Sequence, residues 1–362
     1  MKKILGFVGR WIGPALVILG VGSFVANLAD PIPFPIVAMF PFVAIVPFCG
    51  VVASMVAWWV TRASDHRWDS RMLIGFAVVG VLFCGWRYWD QARSYREMTV
   101  NFTNRGTQLV GTLYLPNVAA KVPGMVMVHG AGTAKRWVYK VDGADHFARA
   151  GYAVLTYDKR GVGDSGGKYE GPCNVCPDNL ELLASDASAA LTFLSSRQEV
   201  KSDMVGYWGL SQAAWIVPKA AVMNGHAAFV LMITAPTTTV HQNMRYERFT
   251  GGPVFISKSN LTPDEAEVLA ARANEQFGFP DTDPALDLQR LAIPGLWMLG
   301  DRDGMVPPGK TVAILRTLAQ SGKPYEYSVI HGAGHGIVVS GEERRRYWRE
   351  VDEWLARVTG SR

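Results

Sequence analysis

Met204-Val205-Gly206-Tyr207-Trp208-Gly209-Leu210-Ser211-Gln212-Ala213 is the stretch on which the fold turns. An apolar run of strand length, 204–208, leads into Gly209 and Ser211, and 212–224 then reads as a helix closed by Gly225. Strand, sharp turn and helix in that order stand a serine hydroxyl at a strand end beside a helix N-terminus, as a nucleophile elbow requires. Two features strain this reading: Ala213 adds a methyl group where the turn is tight, and Pro218 is expected to kink the helix. A second Gly-x-Ser-x-Gly spacing, Gly163-Asp164-Ser165-Gly166-Gly167, lacks the context, because Gly171-Pro172 follows and no helical pattern starts. Ser211 is the candidate nucleophile, and Ser165, its competitor, reads as a loop serine.

Around this turn the chain alternates short apolar runs with helical stretches, the pattern of a mainly parallel sheet covered by helices. Segments 98–104 and 108–115 suggest an antiparallel hairpin, and 124–128, 152–157, 229–234, 295–299 and 325–330 read as buried strands. Leu180, Leu183, Ala187, Leu191 and Leu194 recur at helical spacing and define a face that should pack on the sheet; 264–277 and 344–358 read as further helices. An insertion at 237–291 carries Tyr246, Phe249, Phe255, Phe277 and Phe279, which either line an acyl pocket or form a small core of their own.

Serine-based acyl chemistry also needs a base, a carboxylate to orient it, and donors for the oxyanion. His331-Gly332-Ala333-Gly334-His335-Gly336 follows the last strand and offers two bases, of which His335, set among glycines, has the loop freedom to reach over the sheet. Gly300-Asp301-Arg302-Asp303 follows the strand at 295–299 and offers two carboxylates, which spacing alone does not separate. The backbone amides of Ala131 and Gln212 are the expected oxyanion donors.

His129-Gly130-Ala131-Gly132 and Tyr157-Asp158-Lys159-Arg160-Gly161-Val162-Gly163-Asp164-Ser165 precede the Ser211 turn. Together, and in this order, these segments resemble the α/β-hydrolase superfamily over 98–362, particularly bacterial esterases and peptidase-like serine hydrolases. The resemblance implies an α/β-hydrolase fold with a helical cap insertion. It also implies that the acid lies three residues after Gly300, which selects Asp303 over Asp301. His129 is expected to brace its loop, and Asp158 and Arg160 to pin loop ends by hydrogen bonds.

The first quarter of the chain is of a different character. Up to Glu97 it holds nine Lys or Arg against five Asp or Glu, most of the net +5 of the 362-residue chain. The charges flank apolar segments instead of clustering on a folded face, which argues against a nucleic-acid partner. Three stretches, 11–29, 36–60 and 72–89, are each long enough to span a bilayer, with Trp11, Trp58, Trp59, Trp86 and Trp89 near their ends. A cleaved signal peptide fits poorly, since two further spans follow the first. Lys2, Lys3 and Arg10 before the first span, and Arg62, Arg67 and Arg71 after the second, put the large domain outside the cytoplasm, opposed by Arg87, Arg93 and Arg96.

Cys173 and Cys176 form a Cys-x-x-Cys segment with no second pair to complete a zinc site; if the domain faces an oxidising compartment, a local disulfide and two free thiols suit it equally and a redox pair less well, while Cys49 and Cys84 fall in the apolar spans. The sequence therefore leads to a membrane region, 1–97, and a catalytic domain, 98–362, in a multi-pass protein of a bacterial inner membrane. The expected activity is hydrolysis of a small acyl ester through Ser211, His335 and Asp303, with no cofactor and no metal. A peptidase or acyltransferase with the same triad, or a binding module, are the alternatives; oligomeric state is open.

Overall fold

The apolar runs in the middle of the sequence form the centre of one eight-stranded sheet, in a computed structural model that describes Trp86 and residues 89–171, 173–252, 259–337 and 341–360. The chain divides into two units, Met1–Ser94 and Tyr95–Arg362. No described helix is long and apolar enough to cross a membrane. The expected spans at 11–29, 36–60 and 72–89 lie outside the described residues except for Trp86 and Trp89, as do Cys49 and Cys84.

The strands are β1 (Tyr95–Asn104), β2 (Thr107–Pro116), β3 (Val122–Val128), β4 (Ala153–Tyr157), β5 (Val200–Leu210), β6 (Val230–Ile233), β7 (Gly295–Gly300) and β8 (Tyr325–Ile330). Their spatial order is β1-β2-β4-β3-β5-β6-β7-β8. Antiparallel pairing is confined to β1 with β2 and β2 with β4; the remaining pairs are parallel. Strands β3, β4, β6 and β7 are buried along their whole length, which explains why they read as unbroken apolar runs. Two strands start earlier than the sequence suggests. Tyr95 opens β1 because its ring is buried and its hydroxyl donates to Asp145 Oδ1. Val200 opens β5 by pairing with Val122, and a register shift then carries the exposed Lys201, Ser202 and Asp203 past β3.

Helices cover both faces. They are α1 (Asp145–Arg149), α2 (Pro177–Ser195), α3 (Val217–Asn224), α4 (Val240–Thr250), α5 (Pro263–Arg272), α6 (Pro284–Arg290), α7 (Pro308–Gln320) and α8 (Gly341–Thr359). The predicted face of α2 is buried throughout, and with residues of α3 and α7 it packs against one side of the sheet. Phe147 of α1 and Tyr347, Val351, Trp354 and Leu355 of α8 cover the other. Burying each leucine, valine or phenylalanine among them is worth about 1.5–3 kcal/mol.

The insertion between β6 and β7 holds α4, α5 and α6. Thr239 with Gln242 and Thr262 with Glu265 form capping boxes that start α4 and α5. Helix α5 stops at Arg272, short of the predicted 277, because the chain turns back to α4: Glu275 O accepts from Arg245 Nη2, and Phe277 packs on His241. Tyr246, Ala266 and Ala270, with Phe249 against them, make the insertion's own core, while Phe279 packs on the main core and Phe255 lies outside the described residues. Of the two uses expected for these aromatics, Tyr246 and Phe249 serve the core.

Arg160 and Asp186 form a buried two-bond pair, Nε to Oδ2 at 2.8 Å and Nη2 to Oδ1 at 2.5 Å, tying the end of β4 to α2. Removing the carboxylate would leave a buried guanidinium unpaired. Asp186→Ala is therefore expected to lower unfolding free energy by about 3–5 kcal/mol in urea titrations, and a midpoint matching wild type would contradict this role.

Candidate active site

Leu210 ends β5 in extended conformation, at φ −111° and ψ 130°, and Ser211 turns at once into the left-handed region with φ +53°. That conformation costs a non-glycine residue about 1–3 kcal/mol and is kept only where surroundings over-determine it. Gly209 supplies the room. A Cβ there would lie 3.0 Å from Ala213 Cβ and 3.1 Å from Met232 Sδ, so the Ala213 methyl is accommodated because Gly209 has no side chain. Ser211–Trp215 forms a 3₁₀ turn, and α3 begins only at Val217. Pro218 therefore sits in the first helical turn, where its missing N–H leaves no bond unmade, and the expected kink does not occur.

Leu210 pairs with Ile233, so the register sets Ser211 and Thr234 side by side at the ends of adjacent strands. The loop after β8 crosses β7 to reach the same place, where Gly336 N donates to Thr234 Oγ1 at 3.2 Å. Next to it His335, 5% exposed, directs Nδ1 at Asp303, 2.9 Å from Oδ2 and 3.2 Å from Oδ1. Asp303 is itself buried, and its Oδ1 accepts from the amides of Met305 at 2.7 Å and Val306 at 2.9 Å. The other two candidates pair with each other: His331 Nδ1 lies 2.7 Å from Asp301 Oδ2, and the His331 side chain is 88% exposed. One Asp–His pair is thus buried beside the Ser211 strand end and the other faces solvent.

Helix α4 braces the buried pair from the insertion. Tyr246 Oη donates to Asp303 O at 2.6 Å, and Thr250 Oγ1 donates to Gly304 O at 2.6 Å. Between them on the helix, Glu247 has its carboxyl pushed up to about 7 by burial; His335 opposes the rise and Asp303 adds to it. No sequence motif marks Glu247, whose significance comes only from the packing of the insertion on the Asp303 loop.

The loop after β3 abuts the nucleophile candidate: a Cβ on Gly130 would stand 3.5 Å from Ser211 Cβ. Ala131 is exposed in this loop, and Gln212 is buried directly after the turn. His129 braces the loop by contacting Tyr157 O, and burial followed by the Lys159 charge pulls its imidazole down to about 3, so the ring is neutral. Asp158 accepts from Arg136 and from the Asp164 amide. Gly163, at φ +59°, is required beside it, because any Cβ would run into the Asp158 carboxylate. Ser165 spends its hydroxyl on backbone, donating to Asp158 O at 2.7 Å and accepting from Val110 N at 2.9 Å, as a loop serine does. Cys173 and Cys176 are joined as a disulfide, and within that loop Asn174 O accepts from Gln212 Nε2 at 2.7 Å.

Polyketide transferase claH of Penicillium crustosum is 34% identical over 92 residues, 25% of this chain and only 28% of that protein's length. Polyketide transferase ATR5 of Stachybotrys chlorohalonatus (strain IBT 40285) is 32% identical over 302 residues, 71% of this chain and 95% of its own. Among solved structures, the Pyrococcus furiosus esterase Pf2001 shares the fold, with a TM-score of 0.55 at 19% identity over 75% of this chain and 93% of that one. The prolyl oligopeptidase family matches residues 139–362. With that match spanning more than half of its length, the chain belongs to the prolyl oligopeptidase family and is a serine hydrolase of the α/β-hydrolase fold.

Proposed function

We propose that this protein is a membrane-anchored serine hydrolase that cleaves a carboxylic ester through an acyl-enzyme on Ser211, with His335 as base and Asp303 as its orienting carboxylate. The observation that carries the reading is the left-handed turn of Ser211 on the sheet edge that also holds the buried Asp303–His335 pair. In this mechanism Ser211 Oγ attacks the ester carbonyl carbon while its proton passes to His335 Nε2. The Nδ1–H bond to Asp303 fixes the tautomer and stabilises the imidazolium. The tetrahedral oxyanion is received by the amides of Ala131 and Gln212. Cleavage of the ester C–O bond releases the alcohol, which takes the proton from His335, and water activated by the same imidazole resolves the acyl-enzyme.

Transfer of the acyl group to an acceptor other than water is the second reading, favoured by the 32% identical relative named a polyketide transferase. The two differ only in what resolves the acyl-enzyme. Residues 1–97, with the spans expected at 11–29, 36–60 and 72–89, are the proposed anchor. The Cys173–Cys176 disulfide supports an oxidising compartment, and hence an extracytoplasmic catalytic unit.

A fluorophosphonate probe should label the wild type and Ser165→Ala but not Ser211→Ala. His335→Ala should lower turnover of p-nitrophenyl esters by about 10⁴-fold or more; labelling that survives in Ser211→Ala would end the proposal. A panel of esters, thioesters and peptides, with and without added acceptor alcohols, separates hydrolysis from transfer. Alkaline phosphatase fused after Arg362 should be active only if that end leaves the cytoplasm, and an inactive fusion beside an active cytoplasmic reporter would reverse the topology.

The pH response of stability tests the packing around His335. Because the folded Glu247 carboxyl sits at about 7, above its usual 4.5, its contribution is fully present below 4.5 and is lost as pH rises to 7. Glu247→Gln should therefore gain in Tm relative to wild type across that interval and keep a constant difference above it, whereas a difference independent of pH would contradict the burial.

A further inference from the structure

Three consecutive charged residues at the end of β4, Asp158, Lys159 and Arg160, are all buried, at 0%, 2% and 7% exposure. Asp158 is paired with Arg136 and Arg160 with Asp186. Lys159 has no carboxylate partner among the described residues. Its Nζ donates instead to Gly130 O at 2.8 Å, Gly132 O at 3.2 Å and Gln212 Oε1 at 3.1 Å, using all three ammonium protons. Burying an ammonium without a carboxylate beside it is costly, and here the three oxygens it meets are what offset that cost. Burial pulls this lysine down to about 7. The other groups facing it are the neutral ring of His129 and the Tyr169 ring, whose centroid lies 5.8 Å from Nζ.

The acceptors identify what the charge does. Gly130 O belongs to the peptide unit whose N–H is that of Ala131. That unit is planar and trans, so its carbonyl and its amide point in opposite directions. A carbonyl fixed on Lys159 turns the Ala131 amide away from the protein interior, and the adjacent positive charge polarises the unit and strengthens the amide as a donor. Gly132 O holds the following turn in the same manner. The third bond reaches the side chain of Gln212, whose own amide is the other expected donor, and Gln212 Nε2 is in turn held by Asn174 O. One ammonium therefore ties together the two residues on which oxyanion stabilisation would depend, although Ala131 and Gln212 lie 81 positions apart in sequence.

We infer that Lys159 is a positioning residue that orients and polarises the Ala131 amide, and fixes Gln212, from behind the oxyanion site. This rests on Ser211 being the nucleophile. Such a role acts on the transition state and leaves ester binding almost untouched.

The test uses the full-length protein in detergent with p-nitrophenyl butyrate. Lys159→Met keeps the length of the side chain and removes charge and donors. Rates are expressed per site titrated with a fluorophosphonate, so that any misfolded fraction drops out. At pH 6 the variant should show kcat lower by about tenfold to a hundredfold with KM within about threefold of wild type. Its affinity for an alkyl boronic acid, which forms a tetrahedral adduct, should fall by a similar factor. A kcat within twofold of wild type at pH 6, a loss carried by KM alone, or an unchanged boronic acid affinity would overturn the role while Ser211-dependent hydrolysis by the wild type still stood. Absence of that hydrolysis in the wild type would overturn the proposed function itself, and this role with it.

Discussion

The reversal from extended Leu210 to left-handed Ser211 is the constraint around which the rest of the catalytic unit is arranged. A non-glycine residue stays in that region only when alternatives are blocked. Here the space is closed by Ala213 and Met232 against Gly209 on one side and by the loop at Gly130 on the other. Parallel strands present all their C-terminal ends on one edge, and it is from that edge that the loops following β3, β6, β7 and β8 come together around the serine. The sheet order thus delivers residues distant in sequence to one place without any long connection being stretched.

The same edge concentrates charge that a solvated turn would disperse. Asp158, Lys159 and Arg160 succeed one another where β4 leaves the sheet, and each meets a different partner: a cation and an amide for the first, carbonyls for the second, a carboxylate for the third. In a medium of low dielectric each of these contacts is stronger than in water, and each unpaired atom would be more costly. The result is that the glycine-containing loops on this edge are tied to the sheet by buried charges.

Much of this was legible in the sequence, for identifiable reasons. The buried strands show as apolar runs because both their faces are covered, and α2 shows because its apolar residues recur at helical spacing. Ser211 stood out from Ser165 through the strand before it and the helix after it. Asp301 and Asp303 could not be separated by spacing alone, since two residues along a turn decide between solvent and interior; depth separates them, and His331 and His335 sort with them. The kink expected at Pro218 fails because a 3₁₀ turn delays the helix and moves the proline into its first turn. Lys159 carries no such mark in the sequence, because its partners lie 29, 27 and 53 positions away. Its signal, a third charge between two motif residues directly after a buried strand, looks in one dimension like an ordinary hydrophilic corner.

Helix α4 is joined by two side-chain hydroxyls to the backbone that carries Asp303. Insertions at this point of a sheet are where a scaffold can change without disturbing its framework. In this molecule that freedom is curtailed, because the inserted segment doubles as a strut for the loop that carries Asp303. A change in the insertion would have to preserve Tyr246 and Thr250 or replace their support, so the freedom of this segment and the geometry of the buried Asp303–His335 pair are mechanically geared to one another.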